Sequence, residues 1–150
     1  MIISTANIAD IAGALYDLLK DWPSLQATTI ELGEPLNKDP SRCPWIGIYP
    51  VRMPFPPRAL GFGAGYRGQE GEFIIIIQQT HATDGKACLQ LLGEQIQGAT
   101  SAILSDPTLK GTVLMLSDFE VNFLDVMKTN DAIFQTAAVR AVGVTTVSGG

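Results

Sequence analysis

Apolar residues recur along this chain with two spacings. Between Asn7 and Asp21 the positions Ile8, Ile11, Ala12, Leu15, Leu18 and Leu19 return every three or four residues, the period of a helix with one buried face. Asn7 is placed to cap it, and Pro23 to stop it. Short apolar runs at Thr28 to Gly33 and Trp45 to Val51 read as strands, joined by the loop "EPLNKDPSRCP". Gly71 to His81, "GEFIIIIQQTH", reads as a third strand. Side chains alternate across a strand, so Phe73, Ile75 and Ile77 share one face while Ile74 and Ile76 share the other, and both faces are apolar.

A second helix follows, capped by Asp84 or Thr83, with Leu89, Leu92, Ile96, Ala99 and Ile103 as its apolar stripe and Pro107 beyond its end. Gly93 and Gly98 each cost about 1 kcal/mol inside a helix relative to Ala, so close approach of a neighbour is expected at both. Two long runs close the chain, Thr112 to Lys128 and Ala132 to Val147, separated by the turn cluster "TND"; they predict a long antiparallel hairpin. The predicted fold is α+β: one domain spanning residues 1–150, with an antiparallel or mixed sheet of about four to five strands and both helices on one face.

No helix remains for the other face. Leaving Ile74 and Ile76 in water would forgo roughly 1.5 to 3 kcal/mol per side chain, so another copy of the chain is the simplest cover. Between Arg52 and Gly68 the text "RMPFPPRALGFGAGYRG" breaks both periods and predicts a long exposed loop. Loops of that length are uncommon in compact domains unless they bind something or stay disordered. Arg52, Phe55, Arg58, Phe62, Tyr66 and Arg67 are its candidate contact residues, beside Ile74 and Ile76 on the sheet; a bare hairpin tip is the alternative.

Composition narrows the function. Hydrophobic residues form 46% of the chain and charged residues 17%, with a mean hydropathy of +0.20, which again favours a chain that hides surface against a partner. No apolar run has the length of a membrane span, and the first ten residues lack the pattern of a signal peptide, so synthesis in the cytoplasm and no membrane are expected. A net charge of −5 with no basic cluster argues against nucleic-acid adhesion. Cys43 and Cys88 lack metal-site or disulfide-framework spacing and are expected to be buried thiols. His81, Asp84 and Cys88 lie near one another in sequence, but the reading preferred for His81 is a strand end beside a helix cap. "GFGAGYRG" lacks the Lys-Ser/Thr ending of a phosphate loop. No catalytic residue, metal or cofactor is expected, and action by occupying a surface is favoured over chemistry.

The segments "AILSDPTLKGTVLMLSDFEV" and "AIFQTAAVRAVGVTTV" resemble the tail terminator and tail completion proteins of long-tailed bacteriophages. The matching positions are Asp106, Pro107, Thr108, Leu109 and Gly111, with Lys110 where relatives often carry a small residue. The resemblance implies a structural virion protein that forms a ring, usually a hexamer, on the tail tube. Such a ring ends tube growth and offers a surface for joining the head, with the tube protein and a head completion or connector protein as partners. Six copies would carry roughly −30 formal charges, and an acidic channel would let DNA pass without sticking. A head-side neck connector or another small oligomeric α+β binding module is the alternative.

Overall fold

The structure, a computed structural model, describes residues 8–52, 66–106, 108–109, 115–124, 126–128 and 132–148. Helices α1 (Ile8–Lys20) and α2 (Gly85–Ser105) pack on a six-stranded mixed sheet of β1 (Thr29–Leu32), β2 (Trp45–Arg52), β3 (Tyr66–His81), β4 (Met115–Phe123), β5 (Met127–Lys128) and β6 (Ile133–Ser148). The strand order is β1-β2-β3-β6-β4, with β5 also pairing β6. β1 runs parallel to β2, and the other pairings are antiparallel.

This is the α+β layer that the periodicities predict. Ile11, Leu15 and Leu19 of α1 and Leu92, Ala99 and Ile103 of α2 bury themselves against Ile46, Ile48, Phe73, Ile75, Ile77 and Val139 of the sheet. The strand count is one higher than expected because the run from Thr112 to Lys128 is interrupted. β4 ends at Phe123, Leu124 still donates its N–H to the Thr136 carbonyl at 2.9 Å, and pairing resumes at Met127 opposite Phe134.

Three local expectations need correction. The segment expected as a loop over residues 52–68 is shorter, since Arg52 closes β2 and Tyr66, Arg67 and Gly68 pair with Ser148, Val147 and Thr146. β3 and β6 stay in register from Tyr66 to His81, and that continuous ladder satisfies the backbone of glycines that look like strand breakers in sequence. Leu89 is half exposed instead of buried. The buried stripe of α2 runs through Cys88, Leu92, Gln95, Ala99 and Ile103, and Leu89 sits about 100° around the helix from Cys88. Gly93 has nothing near it, whereas a Cβ on Gly98 would lie 2.7 Å from the Ser24 hydroxyl oxygen, so only Gly98 permits close packing. The expected cap Asn7 lies outside the described residues.

The segment behind the phage resemblance has a clear structural role. Asp106 ends α2, the Thr108 hydroxyl donates to the Asp106 carboxylate at 2.7 Å, and the Leu109 N–H closes the turn on the Asp106 carbonyl at 2.9 Å. Leu109 adopts a left-handed φ of 49° and is fully buried. Burying the leucine offsets the roughly 1 to 2 kcal/mol that this backbone conformation costs a residue with a Cβ. Pro107, Lys110 and Gly111 lie outside the described residues.

Candidate interaction surface

Strand register assigns the sheet face turned away from the helices. It carries Trp45, Gly47 and Tyr49 of β2, Ile74, Ile76 and Gln78 of β3, and Phe134, Thr136 and Ala138 of β6. Part of it is covered by this chain itself. The parallel β1–β2 pair needs a long connection, and residues 33–44 cross this face to make it. Asn37 donates to the Gln78 side-chain oxygen at 2.9 Å, and Gln78 returns a bond to the Asn37 carbonyl at 2.9 Å, which leaves both residues buried. The Tyr49 hydroxyl donates to the Glu34 carbonyl at 2.6 Å. Trp45, fully buried, donates its indole N–H to Glu31 at 2.6 Å, and Arg42 pairs with the same carboxylate oxygen.

Glu31 therefore has a carboxyl held below its usual range, chiefly by the Trp45 hydrogen bond and further by Arg42, against the opposing effect of burial. A depressed folded-state pKa stabilises the protein above the unfolded-state value and loses that contribution as pH falls through the folded-state value. The stability difference between the wild type and Glu31→Gln should be full near neutral pH, begin to fall as the pH drops towards the ordinary carboxylate range, and vanish once the folded-state carboxyl is itself protonated. Urea midpoints followed by tryptophan emission check this; a difference that stays constant with pH would contradict it.

Beyond the covered part lies a groove of about 440 Å³ lined by Leu36, Ile76, Leu124, Met127, Phe134 and Thr136, with Asn37, Lys38 and Gln78 at its margin. A second groove of about 340 Å³ lies against α2, lined by Leu89, Leu92, Phe123, Leu124 and Val126 with Gln135 and Thr136. The two share Leu124 and Thr136, so they flank the interrupted end of the β4–β5 edge. Exposure there is high for apolar side chains: Phe123 61%, Leu124 50%, Val126 61% and Met127 57%. With the half-exposed Leu36 and Leu89 this makes a cluster of six large apolar side chains open to solvent, the kind of surface that marks an interaction site.

Of the residues singled out in sequence, Ile76 lines the larger groove, and Ile74 is half-buried on the same face. Arg52 lies opposite Glu72, while Tyr66 and Arg67 lie in the β3–β6 ladder. Phe55, Arg58 and Phe62 lie outside the described residues. The patch at Phe123 to Met127 was missed, although "FLDVM" is four-fifths apolar where a half-buried strand should alternate.

The polar residues nearby have structural partners. His81 accepts the N–H groups of Thr83 and Asp84 through Nδ1, at 3.2 and 2.9 Å, and Asp84 caps α2 through the Lys86 N–H, so His81 does stand at a strand end beside a cap. Cys88 is buried, whereas Cys43 is half-buried instead of fully so. Burial pushes the Cys43 thiol up to about 12, so it stays protonated and a poor nucleophile at neutral pH. Among the described residues no His, Cys, Asp and Glu cluster could hold a metal, and no helix is long and apolar enough to cross a membrane. No protein-family model and no curated protein matches the sequence.

Proposed function

We propose that this chain is a subunit of a ring that caps the tail tube of a long-tailed phage, ends tube polymerisation and offers the surface to which the head is joined. The observation that carries the reading is the apolar patch around Leu124 and Met127 at the end of a long sheet edge, a surface suited to being covered by protein. The sequence resemblance at Asp106 to Gly111 supports it, because that turn leads into β4, whose far end carries the patch. In this reading the ring is a hexamer of a virion protein, assembled in the host cytoplasm, with the tube protein and a head completion protein as partners. DNA passes through it without specific binding, and no cofactor or catalysis is involved.

A small-ligand binding module is the second reading, favoured by the 440 Å³ groove. Against it, Asn37 and Gln78, the amides at its margin, are hydrogen-bonded to each other and are poorly placed to orient a ligand. A head-side connector would use the same patch and differs in its place on the particle. Removing the gene should give tails of irregular length that fail to join heads, and purified protein added to such tails should restore joining without nucleotide or cofactor. Electron microscopy reads both outcomes. Normal tails attached to full heads would remove the terminator reading, while normal tail length with failed joining would favour the connector.

A further inference from the structure

The patch lies towards one end of the sheet, away from Arg52 and Tyr66, the two strand residues that residues 53–65 connect. It lies around Phe134 and Met127, at the other end of β3 and β6. We infer that residues 53–65 of one copy dock across the two grooves beside Leu124 of the next copy. The inference rests on the ring reading for closure of the assembly, and the contact itself rests on three observations.

The first is reach. Arg52 is level with Glu72, and Phe134 is level with Thr80, eight residues further along β3 or about 27 Å. The thirteen residues must also return to Tyr66, about 20 Å in the opposite direction, from a contour of about 48 Å. That leaves about 14 Å of reach towards the patch, so the segment cannot cover Phe134 and Met127 of its own subunit. The second is charge. Residues 52–68 hold three arginines and no carboxylate, while residues 123–131, the stretch that carries the patch, hold Asp125 and Asp131 against Lys128. This sets a segment with no carboxylate against an apolar stretch of net negative charge.

The third is shape. The grooves lie on the two sides of one strand end and share Leu124 and Thr136. An extended segment sends alternate side chains to both sides, and "MPFPPRALGF" supplies apolar residues at both parities. Contact between two different ends is heterologous, which propagates head to tail and closes into a ring when the rotation permits.

The test uses a synthetic peptide of residues 52–68 and two variants of the full chain. The peptide should bind the subunit saturably, lose affinity about tenfold or more with Leu124→Glu and with Met127→Glu, and weaken several-fold when salt rises from about 0.05 to about 0.5 M. Both substitutions are at exposed positions, and circular dichroism confirms that each variant is folded. Next, a chain with residues 53–65 replaced by a glycine-serine linker of equal length is mixed with the Leu124→Glu chain. Each alone should be monomeric, and the mixture should form a one-to-one dimer through the single intact contact.

No peptide binding, equal binding to the Glu variants, or a mixture that stays monomeric would overturn the inference. The peptide result decides it even for a wild type that does not assemble without a tube. Normal tails in a strain lacking the gene would sink the tail-cap reading and leave this contact standing.

Discussion

Ile75→Glu should unfold the domain, whereas Ile76→Glu should leave it folded and weaken the proposed self-association. The two residues are adjacent in β3 and point to opposite faces. Ile75 is fully buried among Ile48, Leu15 and Ile103, so the substitution forgoes about 1.5 to 3 kcal/mol of burial and adds the cost of placing a carboxyl group among hydrocarbons. A loss above about 5 kcal/mol is expected, comparable to the whole stability of many domains. Ile76 is half-buried in the wall of the larger groove, where a carboxylate can reach water, so its folding cost should stay near 1 kcal/mol. Circular dichroism gives the folding result, and light-scattering mass gives the association. Equal loss of folding in the two variants would show that the second face is as much core as the first.

The periodicities made the two helices and their shared sheet face legible, because each stripe is repeated often enough to define a face. Ile11, Leu15 and Leu19 illustrate this for α1, and Phe73, Ile75 and Ile77 for β3. What covers the second face was harder to read. The apolar Ile74 and Ile76 pointed to a partner, yet Asn37, Glu34 and Glu31, on the strand and connection between the first helix and β2, bring this chain's own backbone and side chains over part of that face. Polar residues that meet across long sequence separation, such as Asn37 and Gln78, carry no local periodicity. Gln79 and Gln95 present the same difficulty: they occupy helix-facing positions that a hydrophobic pattern skips, and they are accommodated by bonding each other at 3.1 Å while Gln95 donates to the Trp45 carbonyl at 3.3 Å.

The patch at Phe123 to Met127 escaped notice for a different reason. A long apolar run beside a turn looks like strand, and the interruption between β4 and β5 that turns Leu124 and Val126 outward depends on pairing with β6. The arginine-rich segment was overextended for the complementary reason: glycine-rich text looks like loop, but a facing strand in register accepts it. In both cases tertiary pairing overrode local propensity.

Trp45→Ala and Gly47→Val should each be strongly destabilising, and together they should cost less than their sum. Trp45 is fully buried on the face away from the helices, so truncation should cost about 3 to 5 kcal/mol and release Glu31 from its indole partner. Gly47 is two residues along the same strand, between Trp45 and Tyr49. A Cβ there would collide with the Trp45 ring and lie 2.9 Å from the Tyr49 ring. Valine suits a strand better than glycine, yet here the clash should outweigh its propensity and cost about 2 kcal/mol or more. Removing the indole opens the space that valine needs, so the valine should recover part of the lost packing in the Trp45→Ala background. Urea denaturation of the four chains yields the coupling energy, with a magnitude of at least about 1 kcal/mol expected in the favourable direction. Strict additivity would mean that the indole does not occupy the space over Gly47, and the account of a second face covered by its own chain would fail with it.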